Sequence, residues 1–155
     1  MKSRDWTVIV GLVMVAALAG AAQGQPLPDP VAYHSILGDD LTMNVWQGQY
    51  ISFLTPTTMT GLSNATMATL VGKVDLAYDY YHIATGLNPA PFPPNYYING
   101  RDTIAAVDNT GGAGYSWIGA TGIELQTNYF NTLYNGVANN NQYDQVVFYE
   151  LGRNF

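Results

Sequence analysis

The chain has no cysteine, only two histidines and few basic side chains. Each shortage excludes something. Without cysteine there are no disulfides, no thiolate zinc sites and no cysteine nucleophile, so the fold is held by packing alone. Five Lys and Arg stand against eleven Asp and Glu, for a net charge of −6 over 155 residues. Lys2 and Arg4 sit at the start, and the other bases, Lys73, Arg101 and Arg153, are scattered. No basic patch can gather phosphates, which argues against nucleic acid and against anionic membrane surfaces as partners. Asn, Gln, Thr, Ser and Tyr must cover the surface instead, a balance common in exported bacterial proteins and compatible with polysaccharide contact.

Long apolar runs are also missing, with one exception. "TVIVGLVMVAALAG" (residues 7–20) is uncharged and follows the two early bases. It suits a signal-peptide core and is short for a bilayer span, which needs about 20 residues. Small residues follow it. Ala22 and Gly24 fit the positions before a cut at Gln25, with a cut after Ala21 as second choice and an uncleaved anchor as the alternative. Residues 1–24 are therefore expected to be a signal peptide, and the protein to be secreted or held at the cell surface, with no membrane contact after cleavage. The remaining length suits one modest core.

Residues 25–40 hold three prolines and no sustained period, and are expected to form an N-terminal arm. Residues 41–56 alternate in strand fashion around Gly48, which predicts a hairpin or bulged strand. Residues 63–86 carry the clearest helical pattern. Ser63 or Asn64 caps it, Met67, Leu70, Val71, Val74, Tyr78 and Tyr81 form the inner face, and Gly86 stops it. A proline-rich connection follows, then a short buried strand at 103–108. Residues 115–126 read as a strand kinked at Gly119 and Gly122, with Tyr115, Trp117 and Ile123 carrying its packing. From Thr127 the period becomes helical, breaks at 139–142 and restarts in "YDQVVFYELGRNF", where Val146, Val147, Leu151 and Gly152 face inward.

That last stretch carries a resemblance. "VVFYELGRNF" resembles the active-site helix of the zincin metallopeptidase superfamily, whose frame is His-Glu-x-x-His. "AGYSWIGATGIEL" (113–125) resembles the strand pair whose edge member binds substrate backbone there. The likeness runs over residues 41–155. It implies an α+β fold like the N-terminal half of a zincin: a twisted sheet backed by a long helix, ending in an active-site-like helix and incomplete at the C-terminus. In the zincin frame, residues i and i+4 share one helix face and ligate one zinc, while the glutamate between them deprotonates the bound water. Here Tyr149 and Arg153 hold the ligand positions and Glu150 the general-base position. Arginine keeps its proton and offers no lone pair, and tyrosine ligates only as phenolate. The family's third ligand would fall beyond position 155. The resemblance thus implies no metal or other cofactor and a disarmed peptidase. Arg153 would pair with Glu150, Gly152 would lie small against the sheet, and Tyr149, Arg153, Tyr115, Trp117 and Glu124 would line a cleft for an extended peptide or polysaccharide. The bland reading is a solvated Glu150–Arg153 pair on an ordinary helix.

Other candidates are weaker. His34 and His82 read as structural or solvated. "DNTGGAG" (108–114) lacks the lysine and helix of a phosphate loop and matches no EF-hand. Asp75 and Asp79, at i and i+4, read as a solvated face. The twelve tyrosines suit sugar stacking as well as packing. They leave a second expectation open: a secreted α+β carbohydrate- or surface-binding module without peptidase ancestry.

Overall fold

The computed structural model describes residues 25–140 and 142–155, so the signal-peptide reading of residues 1–24 lies outside the described residues. Strand β1 (Val31–His34) precedes the hairpin of β2 (Asp40–Gln47) and β3 (Ile51–Pro56). Helix α1 (Asn64–Thr85) leads through a loop to β4 (Tyr97–Ile98) and β5 (Arg101–Val107). Strands β6 (Gly114–Ser116) and β7 (Ile123–Gln126) follow, then α2 (Thr127–Asn140) and α3 (Gln145–Asn154). The strands form one seven-stranded mixed sheet in the order β1-β2-β3-β5-β7-β6, with β4 alongside the start of β5. Strands β3, β5 and β7 run parallel, and β6 closes one edge antiparallel to β7. The class is α+β.

Period-two alternation divides the sheet's two faces. Ile51, Phe53, Ile104, Ala106, Ile123 and Leu125 meet Met67, Leu70, Val71 and Val74 of α1, together with Phe130, Leu133, Val147 and Leu151 of α2 and α3. Met43, Val45, Leu54, Ala105 and Val107 face the other way, against Tyr33 and Tyr96. The α1 caps fall where expected. Ser63 has extended backbone and its Oγ accepts from Thr66 N, and Gly86 turns left-handed and donates to His82 O.

The structure differs from the sequence expectations in three places. The arm contains β1, which pairs Val31 with Met43 and His34 with Asp40 and extends the sheet ten residues before the expected start. Residues 115–126 form two strands: a loop through Gly119 and Gly122, both at positive φ, reverses the chain and makes a hairpin. Asp75 is buried rather than solvated. Its carboxylate accepts from the backbone N–H groups of Gln49 (2.7 Å), Tyr50 (2.9 Å) and Ile51 (3.1 Å), and so caps the β2–β3 turn. Gly48 is required there, because a Cβ would overlap that carboxylate. Arg101 Nε closes the turn from the other side onto Gly48 O (2.7 Å).

Replacing Asp75 by Ala leaves three backbone donors without their acceptor, among them the buried Ile51 amide. The expected loss is about 2–4 kcal/mol in chemical denaturation; a loss within ~0.5 kcal/mol, the range of an ordinary surface change, would contradict the capping role.

Candidate functional site

Helix α3 starts on Asp144, whose Oδ1 accepts from Val146 N (2.8 Å). Val147 and Leu151 then anchor it in the core. Its other buried positions are polar: Glu150 and Asn154. Glu150 faces the edge strand. Its Oε2 accepts from Ser116 Oγ of β6 and from Arg153 Nη1 at 3.1 Å. The carboxylate is almost wholly buried, at 8% exposure, while the guanidinium is one third exposed, at 36%. This is a partly buried, charge-assisted pair rather than a solvated one. Arg153 also holds the backbone, its carbonyl accepting from Gly119 N (3.1 Å) in the β6–β7 loop.

Asn154 continues the attachment. Its Nδ2 donates to Asp102 Oδ2 (3.2 Å) on β5, and Asp102 Oδ1 accepts from Gly122 N (2.7 Å). Burial pushes the Asp102 carboxyl up to about 7, against the opposing pull of the Gly122 and Thr103 amides and Asn154. Gly152 packs against the Tyr81 ring of α1, not against the sheet as the resemblance implied.

A groove of about 310 Å³ runs between β6 and α3, lined by Ala113, Gly114, Gln145, Val146, Tyr149 and Glu150. The backbone beside it is accessible only in part: Gly114 is half-buried and Ser116 is buried. Trp117 N donates to Gly122 O and Gln126 N to Ala113 O. With the register Tyr115↔Glu124, residues 113, 115 and 117 therefore direct their backbone groups at β7. In an antiparallel ladder the alternate residues point the other way, so the N–H and C=O of Gly114 and Ser116 face the unpaired edge.

The residues assigned to the cleft from sequence divide into two groups. Glu150, Tyr149 and Arg153 stand together: Tyr149 is 66% exposed and the Arg153 guanidinium lies 6.0 Å from its ring centroid. Tyr115, Trp117 and Glu124 do not join them. Tyr115 and Glu124 are paired on the opposite face of the sheet from Ser116 and Ile123, where Trp117 packs against Tyr115, Tyr96 and Phe92. Glu124 is buried, its Oε1 accepting from Tyr33 OH (2.9 Å), Ile36 N (2.9 Å) and Tyr96 OH (3.2 Å). It cannot reach a ligand in the groove. Sequence reasoning missed Ser116, the partner that locates Glu150. Its one available signal was its alternation with Tyr115 along the strand.

Zinc does not fit this site. The i+4 position carries a guanidinium already committed to Glu150, which supplies charge of the wrong sign and no lone pair. Among the described residues no group of three or more His, Cys, Asp or Glu converges to hold a metal, and none of their helices is long and apolar enough to cross a membrane. No family model, curated protein or solved structure matches the chain.

Two outcomes follow. Arg153→Met leaves the Glu150 carboxylate without its cation and is expected to cost about 1–2 kcal/mol of stability. The partly hydrated guanidinium keeps the Glu150–Arg153 coupling, measured in a double-mutant cycle with Glu150→Gln, near 1 kcal/mol; a coupling of zero would mean that the pair is not formed. Asp102 sets a pH dependence. Its folded carboxyl holds a proton that the unfolded chain, with an ordinary value of 3.8, releases earlier. Its stabilising contribution is therefore complete below about pH 4 and lost as pH rises through about 7, at up to ~1.4 kcal/mol per pH unit. Glu124, also raised by burial, acts in the same sense. Denaturation at stepped pH should show stability falling across that window, with a shallower fall in Asp102→Asn; an unchanged slope in the variant would contradict the assignment.

Proposed function

We propose that this chain is a catalytically degenerate, zincin-like metallopeptidase domain of an exported protein, which holds an extended peptide without cutting it. The observation that carries this reading is the contact between α3 and β6: a buried glutamate on a helix, at the general-base position of the frame, bonded to the antiparallel edge strand of a mixed sheet. Arg153 takes the place of the second metal ligand and satisfies Glu150. Glu150 therefore keeps a fixed, neutralised carboxylate where a peptidase would hold one ready to take a proton from water.

Retention of a ligand needs none of that chemistry. An extended peptide adds a strand to an open edge through backbone hydrogen bonds, and adjacent grooves take alternate side chains. Gly114 supplies the accessible backbone of the edge, and Val146, Tyr149 and Gln145 supply the groove. The outward N–H and C=O of Gly114 suit a peptide backbone, which favours a peptide over a polysaccharide.

Elemental analysis of the purified protein after incubation with zinc and dialysis should find no stoichiometric metal; one tightly held equivalent would overturn the degenerate reading. Pools of unstructured peptides should remain uncut and should slow amide exchange at Gly114 while leaving Tyr115, already paired to Glu124, unchanged. Protection by polysaccharide but by no peptide pool would favour a carbohydrate module instead.

A further inference from the structure

Glycine directly follows asparagine twice in the chain, at Asn99-Gly100 and Asn135-Gly136. The pair is chemically labile, because glycine has no side chain to shield its nitrogen from the neighbouring amide. Both asparagines are exposed, but their backbones differ. Asn135 lies inside α2, where helical hydrogen bonding engages the next amide and fixes the dihedrals. Asn99 opens the two-residue turn between β4 and β5, at φ 55°, with Gly100 at φ 75°. Nothing lies within 4 Å of where a Cβ of Gly100 would stand, so that side of the turn is open. The turn is also lightly held. Strand β4 has two residues and pairs with β5 alone, off the main path of the sheet, so opening the hairpin tip costs far less than unfolding the core. One neighbour makes the site particular. Arg101 is fixed by its Nε on Gly48 O (2.7 Å), and its Nη1 donates to the backbone carbonyl of Asn99 (2.8 Å).

We propose that Asn99 is a site of spontaneous modification: it loses its amide through a cyclic imide with Gly100, and Arg101 steers the ring to open as isoaspartate. The Gly100 nitrogen attacks Asn99 Cγ. A C–N bond forms, the proton on that nitrogen passes to solvent base, and the side-chain amide leaves as ammonia. Water then adds to one of the two ring carbonyls. Addition at Cγ breaks the Cγ–N bond and gives aspartate on an unchanged backbone. Addition at the Asn99 backbone carbonyl carbon breaks the peptide C–N bond instead. The chain then continues through Cγ as isoaspartate, longer by a methylene. Arg101 sits on the second carbonyl and stabilises the oxyanion that forms there. The product leaves a free carboxylate on that same carbon, and the guanidinium pairs with it. A lengthened backbone cannot keep the two-residue turn, so Arg101 is drawn off Gly48 O and the β2–β3 turn loses one of its ties. The proposal does not depend on how the β6–α3 groove is used.

The test follows the full chain in mildly alkaline buffer, folded in one sample and unfolded by urea in another. Samples are digested at intervals and the peptides resolved by liquid chromatography and mass spectrometry. Isoaspartate is read separately, by enzymatic methylation of its free carboxylate. In the folded chain residue 99 should convert at least tenfold faster than residue 135, and in urea the two rates should converge. The isoaspartate share of the product at residue 99 should be higher in the folded chain than in urea. That comparison needs no substitution; folded Arg101→Met supplies a second, in which the share should fall to the urea value. Residue 99 converting no faster than residue 135 in the folded chain, or an isoaspartate share no higher folded than in urea, would overturn the proposal, as would a share unchanged in folded Arg101→Met.

Discussion

Buried carboxylates in a chain with almost no cations govern how this structure is held together. A carboxylate taken out of water must find donors or give up its charge. Among the described residues, Asp75, Asp102, Glu124 and Glu150 are all buried, and only Glu150 bonds a cationic side chain. The others draw on neutral donors: three turn amides for Asp75, two phenols and an amide for Glu124, and two amides and a carboxamide for Asp102. Each cluster joins parts distant in the chain. Asp75 fixes the β2–β3 turn to α1. Glu124 fixes β7 to β1 and to the loop before β4. Asp102 and Glu150 fix α3 to β5 and to β6. Apolar contact supplies the bulk of the burial, but these polar pins set the register in which the apolar faces meet.

The consequence for the candidate site is a helix with little freedom. Within five residues, α3 is tied by Glu150 to Ser116, by the Arg153 carbonyl to Gly119 and by Asn154 to Asp102. The Arg153 guanidinium therefore sits beside Glu150 because the backbone on both sides of it is anchored. At the site, one oxygen of the Glu150 carboxylate is held by the Ser116 hydroxyl and the Arg153 guanidinium, and the guanidinium offers no lone pair to a metal.

Much of the fold was legible because local signals agreed. Ser63 and Gly86 bracket a helix whose apolar residues keep helical spacing, Gly48 marks the β2–β3 turn, and two helices follow β7, although α2 runs on through Asn139 and Asn140 of the expected break. Other features were signalled but passed over. Asn99-Gly100 is a two-residue hairpin turn, with φ of 55° and 75°, and it makes β4 out of what had looked like plain connection. Strand β1 was hidden because prolines surround it and only Tyr33 of its four residues is buried. The polar pins were not legible. Tyr33 and Glu124 meet across 91 positions and Ser116 and Glu150 across 34, and nothing local to Asp75 distinguishes a turn cap from a surface acid. Of the residues assigned to the cleft, those read from the helix, Tyr149, Glu150 and Arg153, lie together. Tyr115, Trp117 and Glu124 were assigned without their strand phase, and alternation sends them to the other face.

In the proposed reading, the fixed charge of Arg153, locked to Glu150, stands where a zincin would carry a metal donor. A crystal structure of the protein grown in excess zinc tests this most directly. The expected result is Arg153 bonded to Glu150, Ser116 donating to the same carboxylate and no ion between α3 and β6. Arg153 turned out to solvent, with zinc held by Glu150 and Tyr149, would contradict it.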